Sequence, residues 1–374
     1  MKKILHVSKY YYPFRGGTEQ IALDCVNSLK DIYEQKVICF NHKKGSKKDA
    51  IYGVEVIRCG CFAKVSSQAL SLCYGKFFKE IIKCFVPDII IFHYPNPFVA
   101  RYLLKYIPKQ TKLVVYWHLD IVKQKILKNF FARQNRELIK RADMLIATSP
   151  KYVEGSTYLK ETIYKCKIIP NCINEKRLLL SEEIKTAARK IRSDNKGKII
   201  CLAVGRHTKY KGFKYLIQAS RKLDNRFEIF IAGKGEETKH LKKEAKGDKK
   251  IHFLGSINDD ILKAYFLAMD IFCFPSVTKN EAFGLALAEG MYFEKPVVTF
   301  NIPGSGVNYV SINGKTGIEV PNRNVDAYAK ALDKLAKNPD LRLIYGRNGK
   351  ERVINNFLYI QFKNNIIEAI NNIY

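Results

Sequence analysis

Short apolar runs alternate with helical patterns along nearly the whole chain, and the series is gone through twice. In the first half the runs are Lys3–Ser8, Lys36–Phe40, Val54–Arg58, Asp88–His93, Leu113–Trp117, Asp143–Thr148 and Lys167–Ile169. Almost every position in them is apolar, as expected of strands covered on both faces in a parallel sheet. Between the first two, Ile21, Ala22, Cys25, Val26 and Leu29 recur at helical spacing. A polar, charged stretch, Asn174–Lys198, interrupts the pattern. It restarts with Ile199–Val204, Phe227–Ala232, Ile251–Leu254, Asp270–Pro275 and Pro296–Phe300, with helical segments near 213–223, 236–246, 258–268, 284–292 and 325–337.

The reading is α/β: two doubly wound, Rossmann-like domains joined near residue 180. Residues 1–180 form the first, residues 181–350 the second. A helical segment, 351–374, is expected to return to the first. Two such domains turn the carboxyl ends of their strands toward a shared central cleft, where ligands of open α/β sheets bind. A length of 374 residues suits two cores of this size.

Composition removes several other classes. Hydrophobic residues make up 47% of the chain and charged ones 27%, which excludes a disordered chain. No apolar run approaches the roughly 18 residues of a membrane span, and the start, Met1–Val7, is too short in apolar residues for a signal peptide. Ten cysteines without a C-x-x-C pair point to a reducing, cytoplasmic setting. Seven histidines show no H-x-x-x-H spacing, so no metal site is expected. The net charge of +30 divides almost evenly, with 30 basic and 14 acidic residues in 1–175 and 35 and 21 in 176–374. A nucleic-acid face would concentrate its charge. Anionic lipid or phosphorylated small molecules suit an even basic surface equally well.

Four motifs follow strands. Pro13-Phe14-Arg15-Gly16-Gly17-Thr18-Glu19 offers two glycines and a helix start to an anion; the plainer reading is a tight turn. It is not G-x-G-x-x-G, and Gly233-Lys234-Gly235 also reads as a turn. Gly205-Arg206-His207-Thr208-Lys209-Tyr210-Lys211-Gly212 opens the second domain with cations able to neutralise a diphosphate leaving group; a solvated basic loop is the alternative. Glu281-Ala282-Phe283-Gly284-Leu285-Ala286-Leu287-Ala288-Glu289 sets one carboxylate before a helix and one in its second turn, natural acceptors for sugar hydroxyls. Tyr116-Trp117-His118-Leu119-Asp120 ends an apolar strand, with Asp120 available to orient His118 or to meet a ligand.

Glu281-x₇-Glu289, Gly205-Arg206-x₄-Lys211-Gly212 and Gly16-Gly17-Thr18-Glu19 together resemble the retaining family-4 glycosyltransferases of GT-B fold, from Lys3 to about Ile360. Trp117–Lys125 and Ala147-Thr148-Ser149-Pro150 are similar to the subgroup that builds bacterial surface polysaccharides, mannosyltransferases included. The resemblance implies donor contacts from Gly16, Gly17, Gly255, Phe283, Gly284 and Leu285, with Arg206 and Lys211 on the diphosphate. It implies Glu281 on the donor sugar, Glu289 on the ribose and His118 near the reacting centre. Thr18, Glu19 and Asp120 fall on the acceptor side. One departure stands out: the family commonly has Pro-Asn-Gly-x-Asp where this chain has Pro170-Asn171-Cys172-Ile173-Asn174.

No D-x-D triplet occurs, so no carboxylate-bound metal and no cofactor are expected; Arg206, Lys211 and helix amides supply the charge instead. The resemblance implies retention, with same-face attack assisted by the departing diphosphate. Ser66–Phe85 and Lys123–Arg141 both read as basic amphipathic helices suited to an anionic membrane, or as helices packed on the core. The expectation is a metal-independent hexosyltransferase, cytoplasmic and peripheral on the inner face of the plasma membrane. It would use GDP-mannose or a UDP-hexose and a polyprenyl-diphosphate-linked saccharide, with no nucleic-acid partner. A nucleotide-sugar epimerase, a non-catalytic sugar-binding relative and a nucleic-acid-binding protein are the other readings.

Overall fold

The computed structural model describes residues 1–14, 16–65, 68–120 and 128–373. Two units divide it: Met1–Asn171 with Ile360–Tyr374, and Cys172–Tyr359. The division lies a few residues before 180, and the crossing back comes at 359/360 rather than 351.

Unit 1 runs β1 (Lys3–Val7), α1 (Gly17–Leu29), β2 (Glu34–Phe40), β3 (Lys47–Ile51), β4 (Val54–Cys59), β5 (Ala63–Val65), β6 (Gln68–Leu70) and α2 (Tyr74–Cys84). It continues with β7 (Ile89–Tyr94), α3 (Pro97–Tyr106), β8 (Lys112–Trp117), α4 (Lys128–Arg141), β9 (Met144–Ala147), α5 (Pro150–Gly155) and β10 (Cys166–Ile168). Unit 2 runs α6 (Glu182–Asp194), β11 (Ile199–Val204), α7 (Phe213–Ser220), β12 (Phe227–Ala232), α8 (Thr238–Glu244), β13 (Ile251–Gly255) and α9 (Asp259–Ala268). Then come β14 (Ile271–Phe274), α10 (Leu285–Tyr292), β15 (Val297–Phe300), α11 (Val307–Val310), β16 (Gly317–Val320), α12 (Val325–Lys337) and α13 (Pro339–Asn356). The last helix, α14 (Tyr359–Asn371), lies with unit 1 from Ile360 onward.

The large sheet of unit 1 has the order β10-β9-β8-β7-β1-β2-β4-β3, and that of unit 2 β13-β12-β11-β14-β15-β16. All their pairs are parallel except β3 with β4. In each sheet the chain winds outward, returns to the centre and winds the other way. The reversals fall between β1 and β7 and between β11 and β14, the switch points beside which such sheets take ligands. Apolar side chains on both faces make the central strands the core: every residue of β7 and of β14 is buried.

The sequence misses β3, β16 and the small antiparallel pair β5–β6. The polar stretch 174–198 also contains α6, whose Ile184 and Ala188 pack on Ala264 and Ala268 of α9. Ser66–Phe85 is not one helix. Leu70 ends β6, the helix starts at Tyr74, and Ser66 lies outside the described residues. The apolar side of α2, Tyr74, Phe78 and Ile81, is buried in unit 1, as is Phe85 after it, so this face is core and not membrane surface. The second expected amphipathic helix begins at Lys128; Lys123 to Leu127 lie outside the described residues, and Leu138 and Ile139 are buried. No helix among the described residues is long and apolar enough to cross a membrane.

Candidate active site

At the switch point of unit 2 the loop after β11 meets the loop after β14. Lys211 turns back under Gly205, whose absent Cβ would lie 3.3 Å from Lys211 Cε. Its Nζ stands 2.5 Å from Glu281 Oε2, with both side chains close to nine-tenths buried. Ser276 Oγ donates to the same carboxylate oxygen at 3.0 Å, and the hydroxyl of Ser305 donates to the Glu281 carbonyl. Burial alone would lower the Lys211 pKa, but the neighbouring Glu281 carboxylate and Tyr210 outweigh it and leave it raised. The Phe274 ring lies 5.0 Å from the ammonium. The chain thus holds a desolvated, hydrogen-bonded ion pair where the sequence suggested two separate ligand contacts.

Arg206 is different. It is exposed, and among the described residues it has no ion-pair partner. Its charge is felt at Tyr210 and Lys211. Because Lys211 and Glu281 neutralise each other, Arg206 and Lys209, both exposed, are the cations of this loop left for an incoming anion, and Arg206 is the one whose charge is felt at Lys211.

Two glycines fit these loops together. Gly212 has φ 66°, and a Cβ there would stand 2.0 Å from the Pro275 carbonyl oxygen. Gly306 passes so close to the 281–283 loop that a Cβ would lie 2.0 Å from the Ala282 carbonyl oxygen. The Gly233-Lys234-Gly235 turn serves the same packing: Cβ atoms at its glycines would run into the carbonyls of Gly205 and His207.

Gly284, at φ 95°, leads into α10 without a side-chain cap, so the first amides of that helix depend on water or a ligand. Phe283 is buried, its ring edge-on to Phe357 at 5.3 Å, which leaves only its backbone for a ligand. Leu285 opens α10, and Gly255 ends β13 with Lys234 Cε 3.1 Å from where its Cβ would be. Glu289, partly buried in α10, has its carboxyl pushed up to about 7 by burial, with Arg177 opposing and Asp259 adding to the rise. Those two neighbours pair with each other at 3.5 Å.

In unit 1, Gly16 and Gly17 are exposed at the start of α1, with Thr18 half-buried. Glu19 folds back over them: a Cβ on Gly16 would meet Glu19 Oε2 at 2.2 Å. A carboxylate therefore already lies against this helix start, favourably placed for the helix dipole. Arg15 lies outside the described residues.

His118 is buried one residue past β8, and Asp120 does not orient it. Asp120 Oδ1 accepts from Trp117 Nε1 and from Ser156 Oγ, both at 2.9 Å, and Oδ2 from the Thr157 amide at 3.4 Å. The indole just before His118 thus takes the carboxylate that sequence proximity assigned to His118, and Asp120 is buried. The partner of His118 is His93, Nδ1 to Nε2, 3.1 Å apart. Burial drives the His118 pKa down to about 3, so the ring is neutral. Tyr116 stacks on it at 4.4 Å, and His93 stacks on both. His93 was missed although it ends an apolar strand just as His118 does. Ser276 and Ser305 gave no local signal. At the departure from the family pattern, Cys172 is buried without a left-handed φ, and the Ile173 amide donates to the Phe357 carbonyl at 2.8 Å.

Comparison with known proteins agrees with this architecture. The family described as Glycosyltransferase Family 4 matches residues 15–177, and Glycosyl transferases group 1 matches residues 184–352. The chain is 29% identical to the O-antigen chain mannosyltransferase C of Escherichia coli, covering 94% of this chain and 93% of that protein. It is 27% identical to the D-rhamnosyltransferase WbpZ of Pseudomonas aeruginosa, covering 94% and 91%. Among solved structures, sucrose-phosphate synthase from Thermosynechococcus elongatus superposes with a TM-score of 0.80 at 17% identity, over 99% of this chain and 98% of that one. Anabaena HepE in complex with UDP and glucose gives 0.79 at 16%, over the whole of both chains. With one glycosyltransferase family on each half and neighbours of that fold over its full length, the chain belongs to the glycosyltransferases of GT-B fold.

Proposed function

We propose that this glycosyltransferase moves a hexose, mannose by preference, from a nucleotide-diphosphate sugar to a lipid-linked saccharide in surface-polysaccharide synthesis, with retention and without a metal on the diphosphate. The observation that carries it is the switch point of unit 2, where an unpaired Arg206 stands beside the buried Lys211–Glu281 pair and an uncapped helix start. A diphosphate leaving group needs fixed positive charge as its own negative charge grows. Arg206 and the α10 amides supply it directly. Lys211 supplies it once the donor sugar's hydroxyls engage Glu281.

His118, neutral and held by His93, serves as a hydrogen-bonding group at the donor sugar and not as an imidazolium. The name of the O-antigen mannosyltransferase supports mannose as the transferred sugar, that of the D-rhamnosyltransferase makes rhamnose its competitor, and the UDP complex of the HepE neighbour supports a UDP-hexose. The membrane reading rests on the basic surface, Arg133, Arg136 and Lys140 on α4 being exposed. The test is a panel of GDP- and UDP-sugars with polyprenyl-diphosphate saccharides in vesicles with and without anionic lipid, followed by linkage analysis. Turnover with GDP-mannose and retention at the new bond are expected. Activity confined to a UDP-hexose would move the donor assignment; equal rates on neutral vesicles would remove the membrane one.

Glu289 makes the donor step pH-dependent. In its ionised form it is the stronger acceptor for ribose hydroxyls. With a pKa of about 7 it is mostly protonated at pH 6 and mostly charged at pH 8, so donor KM falls about tenfold across that range. Glu289→Gln flattens the profile. Stability runs the other way: the folded chain holds this proton above the usual 4.5, so the contribution is complete below 4.5 and is lost as pH rises through 7. A pH-independent donor KM in the unaltered chain would remove Glu289 from the ribose.

A further inference from the structure

Three buried side chains given no donor contact meet inside unit 1, one of them, His93, also holding His118 through its other ring nitrogen. His6 on β1, Cys25 on α1 and His93 on β7 are all buried. A ring nitrogen of each histidine and Cys25 Sγ lie within 4.8 Å of one another. Strand register explains the meeting of the histidines. His6 is paired with Ile91, so His93, two residues on, projects from the same face of the sheet. Cys25 comes down onto that face from α1.

Hydrogen bonds decide which ring nitrogens are available. Gln35 Nε2 donates to the Val26 carbonyl at 3.1 Å, which turns Oε1 toward His6 Nε2 at 2.6 Å. His6 Nε2 therefore carries the proton and Nδ1 a lone pair, and Nδ1 has no partner. His93 Nδ1 is occupied by His118, and His93 Nε2 has no partner either. Two imidazole nitrogens without hydrogen bonds, in side chains 0% and 1% exposed, belong to the same buried cluster as the Cys25 thiol. A buried polar atom left unpaired is costly, which calls for an occupant.

We propose that His6 Nδ1, His93 Nε2 and Cys25 Sγ bind one thiophilic monovalent cation, Cu(I), in a three-coordinate site. Imidazole and thiolate are the donors that soft, late metals select. Charge decides between the candidates. On binding, the Cys25 thiol gives its proton to solvent, and thiolate with Cu(I) is neutral inside the protein. Zn(II) would leave a net positive charge buried there and lacks the fourth ligand its structural sites use. Metal–nitrogen and metal–sulfur bonds of about 2.0 and 2.3 Å hold ligand atoms about 3.5–3.7 Å apart, so side chains whose ligand atoms lie within 4.8 Å of one another close by at most about 0.6 Å each. Gln35 behind His6 and His118 behind His93 fix the ligand rings from outside, as second partners of metal-bound histidines do. Sequence spacing could not show the site, because its ligands come from three elements, 19 and 68 residues apart in the chain.

The test uses the full chain, reduced and free of oxygen, titrated with Cu(I) buffered by a chromogenic chelator and followed by X-ray absorption of the one-to-one complex. One Cu(I) per chain bound by two imidazoles and one sulfur is expected. Affinity should fall at least tenfold in Cys25→Ser and in His6→Phe, and stay unchanged in Cys61→Ser/Cys73→Ser, which removes thiols nearer the surface. Should Cys25→Ser not fold by circular dichroism, Cys25→Ala replaces it, and the spectrum of the unaltered chain decides without any variant. Failure to take up Cu(I), a spectrum with sulfur alone, unchanged affinity in folded Cys25 variants, or Zn(II) held by these residues in preference to Cu(I) would each overturn the assignment.

Discussion

Lys211→Met is expected to lower kcat by roughly 10²–10³-fold, the usual cost of removing one preorganised charge from a transition state, and to destabilise unit 2 as well. The second effect follows from Glu281, which would keep its place among Ser276, Ser305 and the β14 loop but lose its counter-charge. Breaking one side of a buried pair costs about 3–5 kcal/mol. The double variant Lys211→Met/Glu281→Gln separates the roles. Its stability should return most of the way, because no lone charge remains, while its activity stays low. Arg206→Ala is the matching control. It is exposed and unpaired, so turnover should fall roughly 10²-fold or more while the urea midpoint moves little. Steady-state rates and urea unfolding of the four proteins suffice. Near-normal turnover in Lys211→Met or Arg206→Ala would refute the diphosphate assignment for that residue.

Gly212→Ala is expected to be among the most destabilising single-methyl additions at the described glycines. The residue has a left-handed φ of 66°, costing a side chain about 1–2 kcal/mol. The new Cβ would also lie 2.0 Å from the Pro275 carbonyl oxygen, and forcing such a contact costs about 1–3 kcal/mol more. Gly314→Ala isolates the first part, since Gly314 has φ 72° with nothing within 4 Å of its Cβ position. Urea unfolding should place Gly212→Ala well below Gly314→Ala, and the displaced β11 loop should lose donor binding too. Equal midpoints would mean that the two loops can part without cost.

Much of the fold was legible because its central strands are continuous apolar runs. Ile199–Val204 and Phe227–Ala232 appear in the structure with the bounds read from the sequence. What was missed lacks that signal. β3 reads Lys-Lys-Asp-Ala-Ile and sits at a sheet edge, so nothing requires it to be apolar. α6 buries only Ile184 and Ala188 in thirteen residues, too narrow a stripe to show among its charges. For the site, residues just after strands were found and their partnerships were not. Lys211 and Glu281 are seventy residues apart in the chain and meet only because β11 and β14 are neighbours. Asp120 was misjudged for the opposite reason: two positions from His118 in sequence, it is claimed by the indole and hydroxyl beside it.

The last helix also fixes an order of events during synthesis. Unit 1 is made of the first 171 residues and the final stretch from Ile360. α14 contributes Phe362, Ile366 and Ile370 to its interior, while Asn371 and Glu368 bond Tyr33 and Lys167. Unit 2 is one unbroken segment. On the ribosome, therefore, unit 2 can complete its fold before unit 1, which waits for α14 to emerge. Until then the surface that α14 will cover stays open to water and to chaperones, so a nascent chain stalled or cut just before α14 would carry a finished second unit beside an unfinished first.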